Sequence, residues 1–224
     1  MKKTIKTLIA GTAMVGIAGI ASATPTIYLS TTGAAGSYTA VASSPTGNVQ
    51  YNTPFGIWDI VIASGLTYNA LGTASVPTME LDIQATTANA TGGTLYVGFA
   101  ANGFTDPLGG IDATLSGHVV SGAAETITQT VFADPSNTQP GTTLPTGSVI
   151  TTLSGSLPIN VSTSGLLPGT SPAVLGEVVE INSTGATSDS IDSSFTAAPD
   201  GGATAMMLGA ALSGLALLKR KVLA

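Results

Sequence analysis

The chain has 224 residues with no cysteine, which excludes disulfides, thiolate metal centres and a cysteine nucleophile. All six basic residues lie at its ends: Lys2, Lys3 and Lys6 at one, Lys219, Arg220 and Lys221 at the other. Residues 24–198 therefore carry eleven carboxylates against no Lys or Arg, a formal charge of about −11, so nucleic acid is excluded as a partner and no Arg clamp exists for phosphates or carboxylates.

From the N-terminus, the three lysines precede an uncharged apolar run, Leu8 to Ile20, followed by Ala21-Ser22-Ala23. A basic start, a short apolar stretch and small residues are what signal peptidase reads. Residues 1–23 are expected as a cleaved signal helix, with Ala21 and Ala23 as the peptidase motif and the mature chain starting about Thr24.

The next 175 residues read as one exported domain, 24–198. Ser30–Pro54 is rich in Ser, Thr, Gly and Ala and is expected to be partly irregular. Residues 56–67 then form an apolar run. Pro77, Met79, Leu81, Ile83 and Ala85 alternate with Thr78, Glu80, Asp82 and Gln84, a period of two with one apolar face. Leu95, Val97 and Phe99 repeat the pattern, and similar runs occupy 112–121, 125–133, 148–153, 173–182 and 188–196. Gly, Pro, Asn and Asp turns separate them, and 134–147, with three prolines, is expected as a long loop.

About eight to ten short strands at this spacing predict an all-β domain, a β-sandwich or jelly roll. Its expected core draws on Trp58, Ile60, Ile62, Met79, Leu81, Ile83, Leu95, Val97, Phe99, Val131, Val179, Ile181 and Phe195.

The C-terminal segment, 199–224, has three parts in strict order: Pro199-Asp200-Gly201-Gly202, the uncharged run 203–218, and Lys219-Arg220-Lys221. Sixteen helical residues rise roughly 24 Å, slightly short of the ~30 Å hydrocarbon core, and insert if the bilayer thins and the basic side chains snorkel. The positive-inside rule keeps the basic cluster cytoplasmic and leaves the domain outside.

This tripartite tail resembles the PEP-CTERM family of sorting signals, in its Val-Pro-Asp-Gly-Gly variant, with Ala198 where the variant usually has Val. The resemblance covers residues 198–222 together with the signal peptide. It implies recognition by an exosortase at Pro199, Asp200, Gly201 and Gly202, with Lys219, Arg220 and Lys221 as stop signal, and delivery to the cell surface or the exopolysaccharide matrix of a biofilm. Leu167-Pro168-Gly169-Thr170 approximates a cell-wall sortase signal, but Ser171 replaces the required Gly and the motif lies more than thirty residues before the apolar tail. A Pro-Gly turn is expected there.

Candidate chemistry is sparse. Glu80 and Asp82 share a strand face; paired carboxylates suit glycosidase acid–base work or Ca²⁺, although a solvated polar face is the expectation. Asp189 and Asp192 are expected to be loosely solvated, and His118, the single histidine, to be strand-surface or half-buried. No Gly-x-Ser-x-Gly elbow or phosphate loop occurs, so the chain is expected not to be an enzyme and to have no cofactor, calcium being the weak alternative. The leading expectation is a structural or adhesive surface protein. A carbohydrate- or calcium-binding sandwich comes next, and a secreted glycoside hydrolase last.

Overall fold

The computed structural model describes residues 23–104, 109–167, 173–197 and 212. Both expected helices, the signal segment and the membrane tail, fall outside these residues apart from Ala23 and Leu212, as do Ala21, the Pro199–Gly202 motif and Lys219–Lys221. Among the described residues, no helix is long and apolar enough to cross a membrane.

Alternation of period two builds twelve strands: β1 (Thr26–Ser30), β2 (Thr39–Ser43), β3 (Asn48–Tyr51), β4 (Trp58–Leu66), β5 (Thr78–Thr87), β6 (Gly93–Phe104), β7 (Gly110–Gly122), β8 (Glu125–Asp134), β9 (Ser148–Ser156), β10 (Ile159–Leu166), β11 (Ala173–Ser183) and β12 (Thr187–Ala197). They form two six-stranded sheets, ordered β2-β1-β6-β11-β8-β9 and β10-β7-β12-β5-β4-β3. Every named strand pairing is antiparallel. The inner faces of the two sheets share one apolar core, in which Leu95, Val97 and Phe99 of the first sheet meet Met79, Leu81 and Ile83 of the second. The architecture is a β-sandwich, as expected, with more strands than the eight to ten foreseen.

The additional strands are β1, β2, β3 and β10. Three of them are short, and β10 is Ser- and Thr-rich, so none carries the apolar alternation that marks a strand in sequence. Two of them, β2 and β3, interrupt the stretch expected to be irregular.

Of the thirteen expected core residues, twelve are buried and Ile62 is not. The cause is a register shift between Ile60 and Ile62 in the β4–β5 ladder. A bulge inserts one residue and reverses facing beyond it, so Ala63 turns inward with no exposure while Val61 is exposed.

The segment 135–147 holds no strand, as expected of a loop, yet it is not loose. It lies over the outer face of the first sheet. The Tyr28 hydroxyl donates to the Pro140 carbonyl at 2.7 Å, and the Tyr38 amide donates to the Thr142 carbonyl at 3.0 Å. Gln139 Nε2 donates to the Thr24 carbonyl at 2.9 Å and the Ala100 carbonyl at 3.1 Å. Leu144 is buried in a second apolar cluster with Tyr28, Tyr38, Ala100, Phe132, Val174 and Val178. This cover buries β1 along its whole length and β11 on both faces through most of its length, which is why their sequences run apolar on both parities.

Candidate functional site

The second sheet has no comparable cover among the described residues, and its outer face shows what strand register does with polar residues. Successive residues point to opposite faces, so in β5 Glu80, Asp82 and Gln84 face outward while Met79, Leu81 and Ile83 face the core. In β12, Ser188, Ser190, Asp192 and Ser194 do the same. Register then sets Asp82 directly across from Asp192, with Ser116 on Asp192's other side and Ser64 on Asp82's other side. Asn160 and Gln50 extend this row to the two edges. The row reads amide, hydroxyl, carboxylate, carboxylate, hydroxyl, amide across six strands.

Neighbouring rows are hydroxyl-rich. The Thr114 and Ser194 hydroxyls lie 2.8 Å apart, and Thr86 donates to Ser188 Oγ at 3.1 Å. A groove of about 370 Å³ opens along β7, β10 and β12, lined by Ser116, His118, Asn160, Ser190 and Asp192 among others. His118 is exposed on its rim, in keeping with the strand-surface expectation.

The acids of this face repel one another. Glu80 is raised above the ordinary carboxylate range by partial burial, then by Asp82 and Asp192; Asp82 is raised by partial burial and then by Asp192. Like charges directly across a ladder destabilise it. Glu80 and Asp82 are thus brought together as expected, with Asp192 as an unforeseen third member. No group of three His, Cys, Asp or Glu among the described residues has a geometry that could hold a metal ion.

Asp189 corrects the sequence reading. It is 1% exposed rather than solvated, because its spacing of three from Asp192 places it on the opposite, inner face of β12. There it meets Glu125, itself 2% exposed. Burial and then the Glu125 charge push Asp189 up to about 8, against a 3.3 Å bond from the Ala85 amide. Burial likewise raises Glu125.

A third interior acid, Glu177 of β11, has no exposure at all. Its Oε2 accepts from Ser193 Oγ at 2.5 Å and from Gln129 Nε2 at 2.8 Å. Gln129 also donates to the Ser194 carbonyl at 3.2 Å, so its amide reaches from the first sheet to the second. Burial outweighs both bonds to the carboxylate and lifts Glu177 to about 7. Residues 24–198 contain no Lys or Arg that could pair with these charges.

The sequence reading missed this interior set, yet the signal was present in strand parity. Glu177 shares its parity with Val179 and Ile181, Gln129 with Val131, and Ser193 with Phe195, all expected core residues.

No protein-family model matches this chain, and no curated protein matches it. Among solved structures, the chain is similar to that of TmCBM61 in complex with beta-1,4-galactotriose. The identity is 8% and the TM-score 0.34, with 63% of this chain and 88% of that chain covered.

Proposed function

We propose that this chain is an exported structural or adhesive protein of the cell surface or exopolysaccharide matrix, delivered there by an exosortase acting on its C-terminal signal. The sorting part rests on the tripartite tail of residues 199–221, and the observation that carries the matrix role is the open outer face of the second sheet. A row of hydroxyls, amides and carboxylates crosses it from edge to edge, without a cation. Such a face exchanges hydrogen bonds with a hydrated polymer over a broad area and offers nothing to a polyanion. The edge strands β2, β3, β9 and β10 contain no charged residue either. Charges on edge strands are a common guard against sheet-to-sheet association, so their absence suits a protein that packs among copies of itself in a matrix.

A carbohydrate-binding reading is favoured separately by the groove between β10 and β12, where His118, Asn160 and Asp192 offer directional hydrogen bonds. The two readings part on specificity. Cosedimentation of the purified chain with matrix polysaccharide from its host, alongside a glycan array with and without Ca²⁺, tests them together. The structural reading expects broad, weak retention that H118A and N160A leave unchanged. Tight binding to one glycan, lost in those variants, supports the groove. No retention by any polysaccharide overturns the proposal.

A further inference from the structure

We propose that Gln129 and Ser193 become joined by an intramolecular ester that ties the two sheets together, with the Glu177 carboxylate carrying the proton. Three polar side chains from three strands converge between the two sheets. Gln129 comes from β8 and Glu177 from β11 in the first sheet, and Ser193 from β12 in the second, all three without exposure.

One oxygen of Glu177 touches both ends of the exchange. Its Oε2 receives the Ser193 hydroxyl, the group that attacks, and Gln129 Nε2, the group that leaves. Both donors rest on the same atom, which brings the hydroxyl beside the carboxamide, and substitution at a carbonyl carbon depends on such proximity. Gln129 Oε1 and Glu177 Oε1 are buried with no hydrogen-bond partner, so the triad is not a fully satisfied polar network at rest.

The step balances without a cofactor. Ser193 Oγ bonds to Gln129 Cδ while its proton passes to Glu177. The Cδ–Nε2 bond then breaks, and Glu177 returns the proton to the nitrogen, which departs as ammonia. A hydroxyl and a carboxamide enter; an ester and ammonia leave. Burial lifts Glu177 to about 7, so at neutral pH it can act first as base and then as acid. The dry interior protects the ester from hydrolysis. A chain without cysteine gains in this way a covalent tie between its sheets that a disulfide cannot supply.

The test is mass spectrometry of the chain as recovered from cells, its mass compared with that of its own observed termini. Loss of one ammonia lowers the mass by about 17 Da. Digestion with proteases that cut at acidic or aromatic residues is expected to yield a fused peptide containing Gln129 and Ser193, split by hydroxylamine. S193A and E177Q are expected to give the two peptides separately, with no mass loss. Separate wild-type peptides at their sequence masses overturn the proposal, and that result requires no variant to fold. A mass loss that persists in S193A also overturns it, because the loss then arises elsewhere.

Discussion

Gly65 faces inward on β4, and Phe99 descends from the first sheet into the space its missing side chain leaves. A Cβ at residue 65 would lie 2.4 Å from Phe99 Cε2 and 2.7 Å from both Cδ2 and Cζ. Real carbons do not approach so closely, and the ring has no exposure, so it has nowhere to swing. Overpacking of this kind costs about 1–3 kcal/mol, whereas the loss of glycine's freedom in the unfolded chain returns about 0.4–1 kcal/mol. The clash wins, and Gly65→Ala is expected to destabilise by about 1–2 kcal/mol, lowering Tm by roughly 2–8 °C for a domain of this size. Phe99→Leu shortens the ring that clashes, so the double variant should cost about 0.5 kcal/mol or more less than the sum of the singles. Urea unfolding with unchanged m-values reads all four stabilities. A Gly65→Ala chain as stable as wild type, or strictly additive costs, would show that Phe99 is not seated against residue 65.

Burial raises Glu177 to about 7 and Asp189 to about 8, above their ordinary 4.5 and 3.8, so the folded chain holds more protons than the unfolded one. Stability should therefore be full below about pH 4 and fall as the pH rises through 7 to 8; Asp189→Asn should flatten the decline and exceed wild type at pH 8 in melting scans, and a wild-type Tm that rises across this range contradicts it. Tyr28→Phe removes the bond to the Pro140 carbonyl and should cost about 1 kcal/mol, with faster amide exchange at Tyr38, whose amide bonds the same loop; unchanged exchange there would mean that Gln139 and Leu144 hold the loop without it. Asp82→Asn should stabilise slightly by relieving repulsion from Asp192, and the gain should shrink in 1 M salt; a loss of stability would point to a partner that Asp82 holds.

Strand parity made the fold legible where alternation was long. β5 and β12 carry it over ten or more residues each, and their apolar inward residues are identifiable. Ile62 was misplaced because a bulge leaves no mark in a run where Ile60, Val61 and Ile62 are all apolar. The pairing of Asp82 with Asp192 depends on the register of two strands more than a hundred residues apart, which no local pattern encodes. Asp189 is expected to be solvated by residue type and Glu177 is not singled out, although parity with Ile191 and Val179 places both inside. Their burial without a cation could be seen only once the two sheets were closed over them.

Export and sorting are the centre of the functional account, and one experiment bears on them most directly. Residues 199–202 are replaced with alanine in the host, and membrane, surface and matrix fractions are blotted with antibody against the sandwich. A rigid Pro and two flexible Gly residues present an accessible backbone beside the bilayer, whereas an alanine run favours helix and hides it. The wild-type chain is expected in the surface or matrix fraction without its tail, and the variant as a longer, membrane-bound form. A variant that is processed and released like wild type would make the motif a mere linker and contradict the exosortase reading.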